Sequence, residues 1–307
     1  MPSPYQGVLL AAGHGSRMGT LADHYPKALL PVGNVPLIHR HLATLRDLGV
    51  QDVILVIGHL GGMIRAEVGT GAAWGLSITY VEQPERHGLA HAVGRLESHI
   101  DRPFYLVLGD IYFEFEALDA LHTAFETTGA AAALAVREDG DPAAVRRNFS
   151  VETDAGGRVR RVVEKPEQPA TRCKGCGLYL FDGRIFDAIR ETPRSALRNE
   201  FELTDAIQVL IDRGEPVQAV PMVTWDVNIT EPADLIACSV RALARQGRSS
   251  LVGRDCHIAP GAVLVQSVVG DGARILHPIR LERCVVVPGA VVDAVDGLCD
   301  LVIAPIR

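Results

Sequence analysis

The loop that follows the first apolar strand combines glycines and cations in a way that suits phosphate chemistry. At Gly13 and Gly15 the absence of Cβ atoms lets backbone N–H groups approach a phosphate chain. Arg17 and Lys27 follow in the same segment after the first strand. Two fixed cations beside a glycine turn favour a triphosphate over a neutral ligand. The Walker pattern Gly-x4-Gly-Lys-Ser/Thr is missing, and Gly19 falls one position too late for the dinucleotide fingerprint.

Lysine is rare in this chain. Lys27, Lys165 and Lys174 are its lysines, and arginine supplies the rest of the 30 cationic side chains. A lysine ammonium is a compact point charge for which arginine is a poor substitute where one oxygen must be contacted. We therefore predict chemical roles for Lys27 and Lys165, and we expect chance survival to explain Lys174.

These motifs resemble the sugar-1-phosphate nucleotidyltransferases, the family of glucose-1-phosphate thymidylyltransferase and its uridylyl, cytidylyl and guanylyl relatives. The resemblance begins with Gly-x-Gly-Ser-Arg-Met and Pro-Lys-Ala-Leu-Leu-Pro and covers nearly the whole chain in order. Its other matching segments are 82–92, 108–110, 163–166, 177–179, 200–205 and 225–226. It implies that a sugar-1-phosphate oxygen attacks the α-phosphorus of a nucleoside triphosphate and that pyrophosphate leaves.

The resemblance also implies roles for single residues. Arg17 and Lys27 would contact the reacting phosphates, and Asp110 with Asp226 would form a Mg²⁺ pair, since carboxylate oxygens suit this ion. Relatives often separate the tryptophan from this aspartate by one residue, so Asn228 is an alternative to Asp226. The catalytic set is Arg17, Lys27 and Asp110; the nucleotide-binding set is Ala12, Gly13, Gly15, Ser16, Arg17, Gln83, Gly88 and Leu89; the sugar-phosphate set is Ser150, Glu164, Lys165 and Gly177.

Gln83 bears on the choice of base. Its amide can pair with a pyrimidine imide, which favours dTTP or UTP, although a flipped amide also matches cytosine. The alternatives are a guanylyltransferase for mannose- or heptose-1-phosphate and a cytidylyltransferase. Ser150 stands where relatives often have glycine, so the sugar stays open. A different class, the non-catalytic regulatory subunit, typically lacks the loop arginine or the metal carboxylates, which this chain has.

The elements that position these residues alternate between strand and helix in the first half. Such alternation predicts an α/β fold, a mostly parallel sheet flanked by helices, and the resemblance implies a Rossmann-like nucleotidyltransferase. Asp110 then ends a strand at the carboxyl edge of the sheet, where such folds bind ligands. The predicted strands are 7–13, 52–58, 76–82, 103–110 and 131–138, and a hairpin turns at 154–157. The predicted helices begin at 36, 60 and 88 or span 184–191, 203–213 and 232–245.

From Leu251 onward helical periodicity disappears. Triplets of Pro or Asp, Gly and Ala recur at 260–262, 271–273 and 288–290, as in an imperfect hexapeptide repeat. This pattern predicts a few coils of a parallel β-helix, and the resemblance implies a left-handed one. We expect a catalytic domain at 1–246 and a short β-helix at 247–307. The tail is too short for an acyl-donor groove, and its edges and exposed valines favour a homo-oligomer.

Composition excludes several classes of protein. A net charge of −7 and a pI near 5.9 argue against nucleic acid or an anionic membrane as the main partner. No uncharged apolar run approaches the ~18 residues of a membrane span. The N-terminal residues MPSPYQG lack the features of a secretory signal, and six cysteines without framework spacing indicate reduced thiols. We therefore expect a cytoplasmic protein.

Overall fold

The computed structural model describes residues 3–85, 87–196 and 198–305. Two helices, those at 184–191 and 232–245, have the predicted bounds. The helices of the described chain are α1 Leu21–His24, α2 Leu37–Asp47, α3 Gly61–Val68, α4 Leu89–Gly94, α5 Ala120–Thr128, α6 Pro142–Arg147, α7 Arg184–Glu191, α8 Leu203–Asp212 and α9 Pro232–Arg245. None of them is long and apolar enough to cross a membrane.

A large mixed sheet organises the first two thirds of the chain. Its strands follow the order β10-β9-β11-β6-β1-β4-β5, and β8 joins it by pairing with β11 and β12. The strands before the tail are β1 Gln6–Ala11, β2 Pro31–Val32, β3 Val35–Pro36, β4 Asp52–Ile57, β5 Ser77–Glu82, β6 Phe104–Leu108, β7 Ile111–Phe115, β8 Ala132–Glu138, β9 Phe149–Thr153, β10 Val159–Glu164, β11 Cys173–Phe181, β12 Val217–Pro221 and β13 Val223–Asn228. The predicted α/β fold is confirmed.

The pairing changes direction at β11. Strands β6, β1, β4 and β5 are mutually parallel, whereas β11 runs antiparallel to β6, β8 and β9. The predicted hairpin is present, because β9 and β10 pair antiparallel across the turn at 154–157. Alternate residues of β1, β4 and β6 pack with α4, α7 and α8 in one apolar core. Strands β1, β4 and β6 are nearly continuous apolar runs because both of their faces are buried.

The tail forms short parallel strands. They are β14 Leu251–Val252, β15 His257–Ile258, β16 Val263–Val265, β17 Val268–Val269, β18 Arg274–Ile275, β19 Arg280–Glu282, β20 Val285–Val286, β21 Val291–Val292, β22 Leu298–Cys299 and β23 Val302–Ile303. They pair in three sets, β14-β17-β20-β23, β15-β18-β21 and β16-β19-β22. Hydrogen-bonded neighbours such as Ser250, Ser267 and Cys284 are 17 residues apart. This C-terminal strand stack, Leu251–Ile303, is consistent with the predicted β-helix.

The chain divides into two compact units. The first contains the residues up to Ala12 together with His41–Gly58 and Ala66–Asp226, and so holds the large sheet. The second contains Gly13–Arg40, His59–Arg65 and the chain from Val227 onward. The glycine loop therefore belongs to the same unit as the C-terminal strand stack. The boundary proposed at residue 246 falls inside this second unit, between α9 and β14, and it remains a prediction.

Candidate active site

The loop after β1 folds around a left-handed glycine. Gly15 has a φ of +73°, and the 2.8 Å hydrogen bond from Met18 N–H to the Gly15 carbonyl closes a short 3-10 turn. A Cβ atom at Gly15 would stand 2.9 Å from Lys27 Cγ, so the lysine stem lies directly over the loop. Arg17 is exposed on the turn itself. The second unit thus brings Lys27 onto the glycine loop, with the arginine on the same loop.

Two stacked imidazole rings pack against the glycine loop. The His14 and His59 rings are parallel within 11°, with centroids 4.1 Å apart. His59 Nε2 lies 3.2 Å from the carbonyl oxygen of Ala22, which belongs to α1. These contacts join the glycine loop to the helix that follows it, and His14 is a packing residue.

Three residues of the nucleotide-binding and catalytic sets lie at one edge of the large sheet. Ala12 follows β1, Gln83 follows β5, and Asp110 comes two residues after β6, all at the carboxyl ends of parallel strands. Gln83 is fixed there by a 2.9 Å hydrogen bond from its N–H to the carbonyl of Ile57. Because β1 and β4 separate β6 from β5, the strand ends that precede Asp110 and Gln83 lie about 14 Å apart across the edge. This is the edge at which open α/β sheets bind ligands.

Gly88 sits where two backbone segments meet. Its φ is +106°, and a Cβ atom there would lie 2.3 Å from the carbonyl oxygen of Phe201. Phe201 N–H donates to the His87 carbonyl at 2.7 Å, and Ala90 N–H donates to the Phe201 carbonyl at 2.9 Å. Gly88 therefore lets the start of α4 pack onto the segment before α8. Leu89 is exposed at the first residue of α4, and nucleotide contact by either residue remains a prediction.

Replacement of Gly88 by alanine is expected to lower the free energy of unfolding by about 2–4 kcal/mol, because strain at positive φ adds to a clash with backbone. Chemical denaturation measures this change. Gly129→Ala is the matched control, since Gly129 has a φ of +61° but open space around its Cβ position. The control should lose only about 1 kcal/mol. Equal losses in the two variants would contradict the proposed backbone contact.

The sugar-phosphate set lies on β9 and β11, at the end of β10 and directly after it. Glu164 ends β10, accepts a 2.8 Å hydrogen bond from Thr204 Oγ1, and lies with its Oε1 3.6 Å from Lys165 Nζ. The φ of Lys165 is +42°, and its N–H donates to the Asn148 carbonyl. Glu164 and Lys165 are thus held together, partly exposed. Ser150, by contrast, is buried within β9, so its contact with a sugar remains a prediction.

Gly177 belongs to the irregular part of β11. The register between β11 and β8 shifts between Gly175 and Tyr179, and Gly177 has a φ of +75°. A Cβ atom there would stand 2.4 Å from Ile111 Cδ1. The glycine therefore allows β11 to bend beside the first residue of β7.

A pocket of about 360 Å³ opens beside Glu164. Glu202 and Asp205, from the segment 200–205, also line it. Burial raises the pKa of the Glu202 carboxyl, and burial together with the nearby charge of Glu164 raises the pKa of Asp205. Carboxylates accept hydrogen bonds from hydroxyl groups, so the pocket suits a polyhydroxylated ligand. Sequence reasoning noted the segment 200–205 but gave Glu202, Thr204 and Asp205 no roles.

The prediction that chance survival explains Lys174 is wrong. Lys174 is fully buried in β11, and its Nζ donates to Asp226 Oδ2. Arg137 Nε lies 2.9 Å from the other oxygen of Asp226, and Arg137 also pairs with Asp139. Three strands, β8, β11 and β13, thereby share one buried ion network. The sequence signal for this ion pair is the position of Lys174, the one charged residue in an otherwise apolar and glycine-rich strand. Such a residue needs a buried partner of opposite charge.

The network bears on the predicted Mg²⁺ pair. The Asp226 side chain is 1% exposed and both of its oxygens face cations, so it does not fit a metal ligand in this geometry. Asp110 is half-buried at the sheet edge, and a carboxylate is a ligand type that Mg²⁺ prefers. The alternative, Asn228, has a buried Oδ1 without a hydrogen-bond partner among the described residues. Among the residues that the structure describes, no three His, Cys, Asp or Glu side chains form a metal-binding group.

A glycine loop that carries cations and follows the first strand of an α/β sheet is typical of α/β enzymes that bind phosphate groups. A comparison with family models identifies the class more closely. Residues 6–231 match the nucleotidyl transferase model, which covers the large sheet, the glycine loop and β13. The chain therefore belongs to the nucleotidyl transferase family, and it is a nucleotidyltransferase. Enzymes of this family that act on sugars generally use divalent metal ions.

Three relatives match three quarters of this chain or more. A UTP–glucose-1-phosphate uridylyltransferase from Haloferax volcanii is 34% identical over 229 residues, 75% of this chain and 93% of its own length. A glucose-1-phosphate thymidylyltransferase from Streptomyces antibioticus is 32% identical over 275 residues, which cover 89% of this chain and 75% of that one. A low-salt glycan biosynthesis nucleotidyltransferase from H. volcanii is 32% identical, and the match spans 64% of its length.

Solved structures agree on the fold. A Bacillus anthracis protein assigned as a glucose-1-phosphate thymidylyltransferase, in complex with sucrose, superposes with a TM-score of 0.70. It is 27% identical, and the match covers 78% of this chain and 95% of that one. A UDP-glucose pyrophosphorylase complexed with UDP-glucose also has a TM-score of 0.70, covering 80% and 100% of the two chains. Its 21% identity supports the fold alone.

Proposed function

We propose that this protein is a sugar-1-phosphate nucleotidyltransferase, which forms an NDP-sugar and pyrophosphate from a nucleoside triphosphate and a sugar-1-phosphate. The observation that carries the proposal is the position of the Lys27 stem over Gly15, on a loop that also presents Arg17. A lysine so placed offers its ammonium to phosphates cradled by the loop. The named relatives use UTP or glucose-1-phosphate in reactions of this type.

The reaction needs charge neutralisation more than acid–base chemistry. A phosphate oxygen of the sugar-1-phosphate attacks the α-phosphorus; the new P–O bond forms as the bond to the β-phosphate oxygen breaks, and pyrophosphate departs with that electron pair. The nucleophile is already an anion, so no general base is required. Arg17 and Lys27 stabilise the charge that develops on the triphosphate and on the leaving pyrophosphate. Alignment of the two anionic substrates supplies the remainder of the effect.

The second substrate is assigned to the Glu164–Lys165 pair. Lys165 binds the phosphate of the sugar-1-phosphate, and Glu164 accepts hydrogen bonds from sugar hydroxyls, with Glu202 and Asp205 lining the same pocket. The hydrogen bond from Thr204 fixes one oxygen of Glu164 and so sets the direction of the other. The Lys165 ammonium lies 3.6 Å from Glu164, and this ion pair orients it.

Pyrimidine nucleotides are the proposed donors. Gln83 stands at the carboxyl end of β5, where its amide can accept from N3–H and donate to O4 of a thymine or uracil base. We therefore name dTTP or UTP as the nucleotide, in line with the thymidylyl and uridylyl relatives. Mg²⁺ is the proposed divalent ion. Asp110 would hold it, and the bound ion would neutralise charge on the phosphate oxygens.

Three further proposals concern the whole protein. The C-terminal strand stack is a left-handed β-helix of imperfect hexapeptide repeats. Its edge strands and exposed side chains such as Val263 support a homo-oligomer, which light scattering after size exclusion would measure. Cytoplasm is the proposed compartment.

A substrate grid tests the proposed function. Pyrophosphate release is measured with Mg²⁺ for dTTP, UTP, CTP, GTP and ATP, each against a panel of sugar-1-phosphates. A maximum with dTTP or UTP is expected. A maximum with GTP would overturn the role given to Gln83 and favour the guanylyltransferase alternative. No release in any well, together with no binding of any triphosphate, would overturn the enzymatic proposal in favour of a regulatory subunit.

A further inference from the structure

The segment that carries Lys27 is tied to the C-terminal strand stack on both sides. Two residues before the lysine, Tyr25 donates its hydroxyl hydrogen to the carbonyl oxygen of Pro288 at 3.2 Å. Seven residues after it, Asn34 Nδ2 donates to the carbonyl oxygen of Val269 at 2.7 Å. Both acceptors are backbone atoms of the stack, so neither can rotate away as a side chain would.

The stack holds these acceptors rigidly. Val269 belongs to β17, whose neighbours are β14 and β20. Pro288 lies in the turn between β20 and β21, where the next residue, Gly289, donates its N–H to the Asp271 carbonyl. Burial raises the pKa of the Tyr25 hydroxyl, which therefore stays protonated and able to donate.

Helix α9 adds a third contact to the same segment. A Cβ atom at Gly33 would stand 3.2 Å from the Cβ atom of Ala242, so the turn between β2 and β3 rests closely on the helix. Asn34 follows with a φ of +61°, which aims its amide at the stack. Between these anchors the chain runs through Pro26 and Ala28, both buried, on either side of Lys27.

We propose that Tyr25 and Asn34 are positioning residues through which the C-terminal strand stack holds Lys27 over the glycine loop. The stack then acts on the transfer reaction itself and is more than an assembly surface. This inference rests on the proposed function for its kinetic consequence, whereas its structural consequence, restraint of residues 13–36, stands independently.

Tyr25→Phe and Asn34→Gly test the inference on the full-length enzyme. Each removes one hydrogen bond, and glycine accepts the positive φ of Asn34. We expect kcat to fall about 3- to 10-fold, the effect of one lost hydrogen bond on the alignment of Lys27. KM for the sugar-1-phosphate should stay within about twofold, because uniform substrate binding is untouched. Amide hydrogen exchange in residues 13–36 should become faster in both variants.

Tyr80→Phe is the matched control. Tyr80 also donates its hydroxyl hydrogen to a backbone carbonyl, that of Gly69 at 2.7 Å, but on the sheet unit. Its variant should keep the kcat and the exchange rates of the wild type. Wild-type kcat and exchange in both Tyr25→Phe and Asn34→Gly would overturn the inference, as would an equal kcat loss in the control. If the wild type transfers no nucleotide, the proposed function fails, and the exchange rates alone decide the positioning role.

Discussion

Arg17→Ala is expected to lower kcat by about 10²–10³ while leaving the melting temperature nearly unchanged. Arg17 is exposed on the 3-10 turn that follows Gly15, so its removal opens no cavity in the core. Its proposed role is to neutralise charge that grows as the bond to the leaving pyrophosphate breaks. Loss of an interaction made chiefly in the transition state lowers kcat and kcat/KM together.

Steady-state pyrophosphate release, with thermal unfolding as the check on folding, measures this effect. Arg46→Ala is the matched control, because Arg46 is also exposed and pairs with its neighbour Asp47 on α2. The control should keep the activity of the wild type. A kcat for Arg17→Ala within about threefold of wild type would be too small a loss for a transition-state cation, and the assignment would fail.

The largest stability effect is expected at the buried ion network. Lys174→Met leaves Asp226 without one of its two cations in a site almost closed to water, and breaking such a pair costs about 3–5 kcal/mol. Asp226→Asn alone strands the Lys174 ammonium in the same way. The double variant Lys174→Met/Asp226→Asn removes both charges and should recover most of the loss, while Arg137 keeps its partner Asp139.

Equilibrium unfolding of the four proteins gives the coupling energy. Arg254→Met is the control: Arg254 pairs with Asp271 in solvent, and its loss should leave the free energy of unfolding nearly unchanged. The double variant also tests the metal assignment. If Asp226 belongs to the ion network alone, the Mg²⁺ concentration for half-maximal activity stays at the wild-type value. A roughly tenfold rise in a stable double variant would instead identify Asp226 as a metal ligand.

Local patterns predicted most of the elements around the site. The apolar runs that became β1, β4 and β6 are buried on both faces, and such strands can be recognised without alternation. β5, at the edge of the sheet, has exposed and half-buried residues instead. The amphipathic segments α7 and α9 have the predicted bounds for the same local reason. β11 was not predicted, because Gly175 and Gly177 interrupt its pattern and its register shifts there.

Long-range partners could not be predicted from local patterns. Lys174 and Asp226 are 52 residues apart in the chain, and their strands belong to different sheets, so only the tertiary fold brings the two side chains together. The contacts of Tyr25 and Asn34 end on backbone carbonyls, which every residue type carries. Nothing in the side-chain pattern therefore marks the C-terminal strand stack as the neighbour of the glycine loop.

Product analysis by ³¹P NMR tests the central claim most directly. The protein is incubated with Mg²⁺ and the nucleoside triphosphate and sugar-1-phosphate that react best in the substrate grid. We predict one pyrophosphate and one NDP-sugar for each triphosphate consumed, and re-formation of the triphosphate when pyrophosphate is added in excess. Consumption of the triphosphate with release of orthophosphate, and without a diphosphate bridge to the sugar, would contradict nucleotidyl transfer.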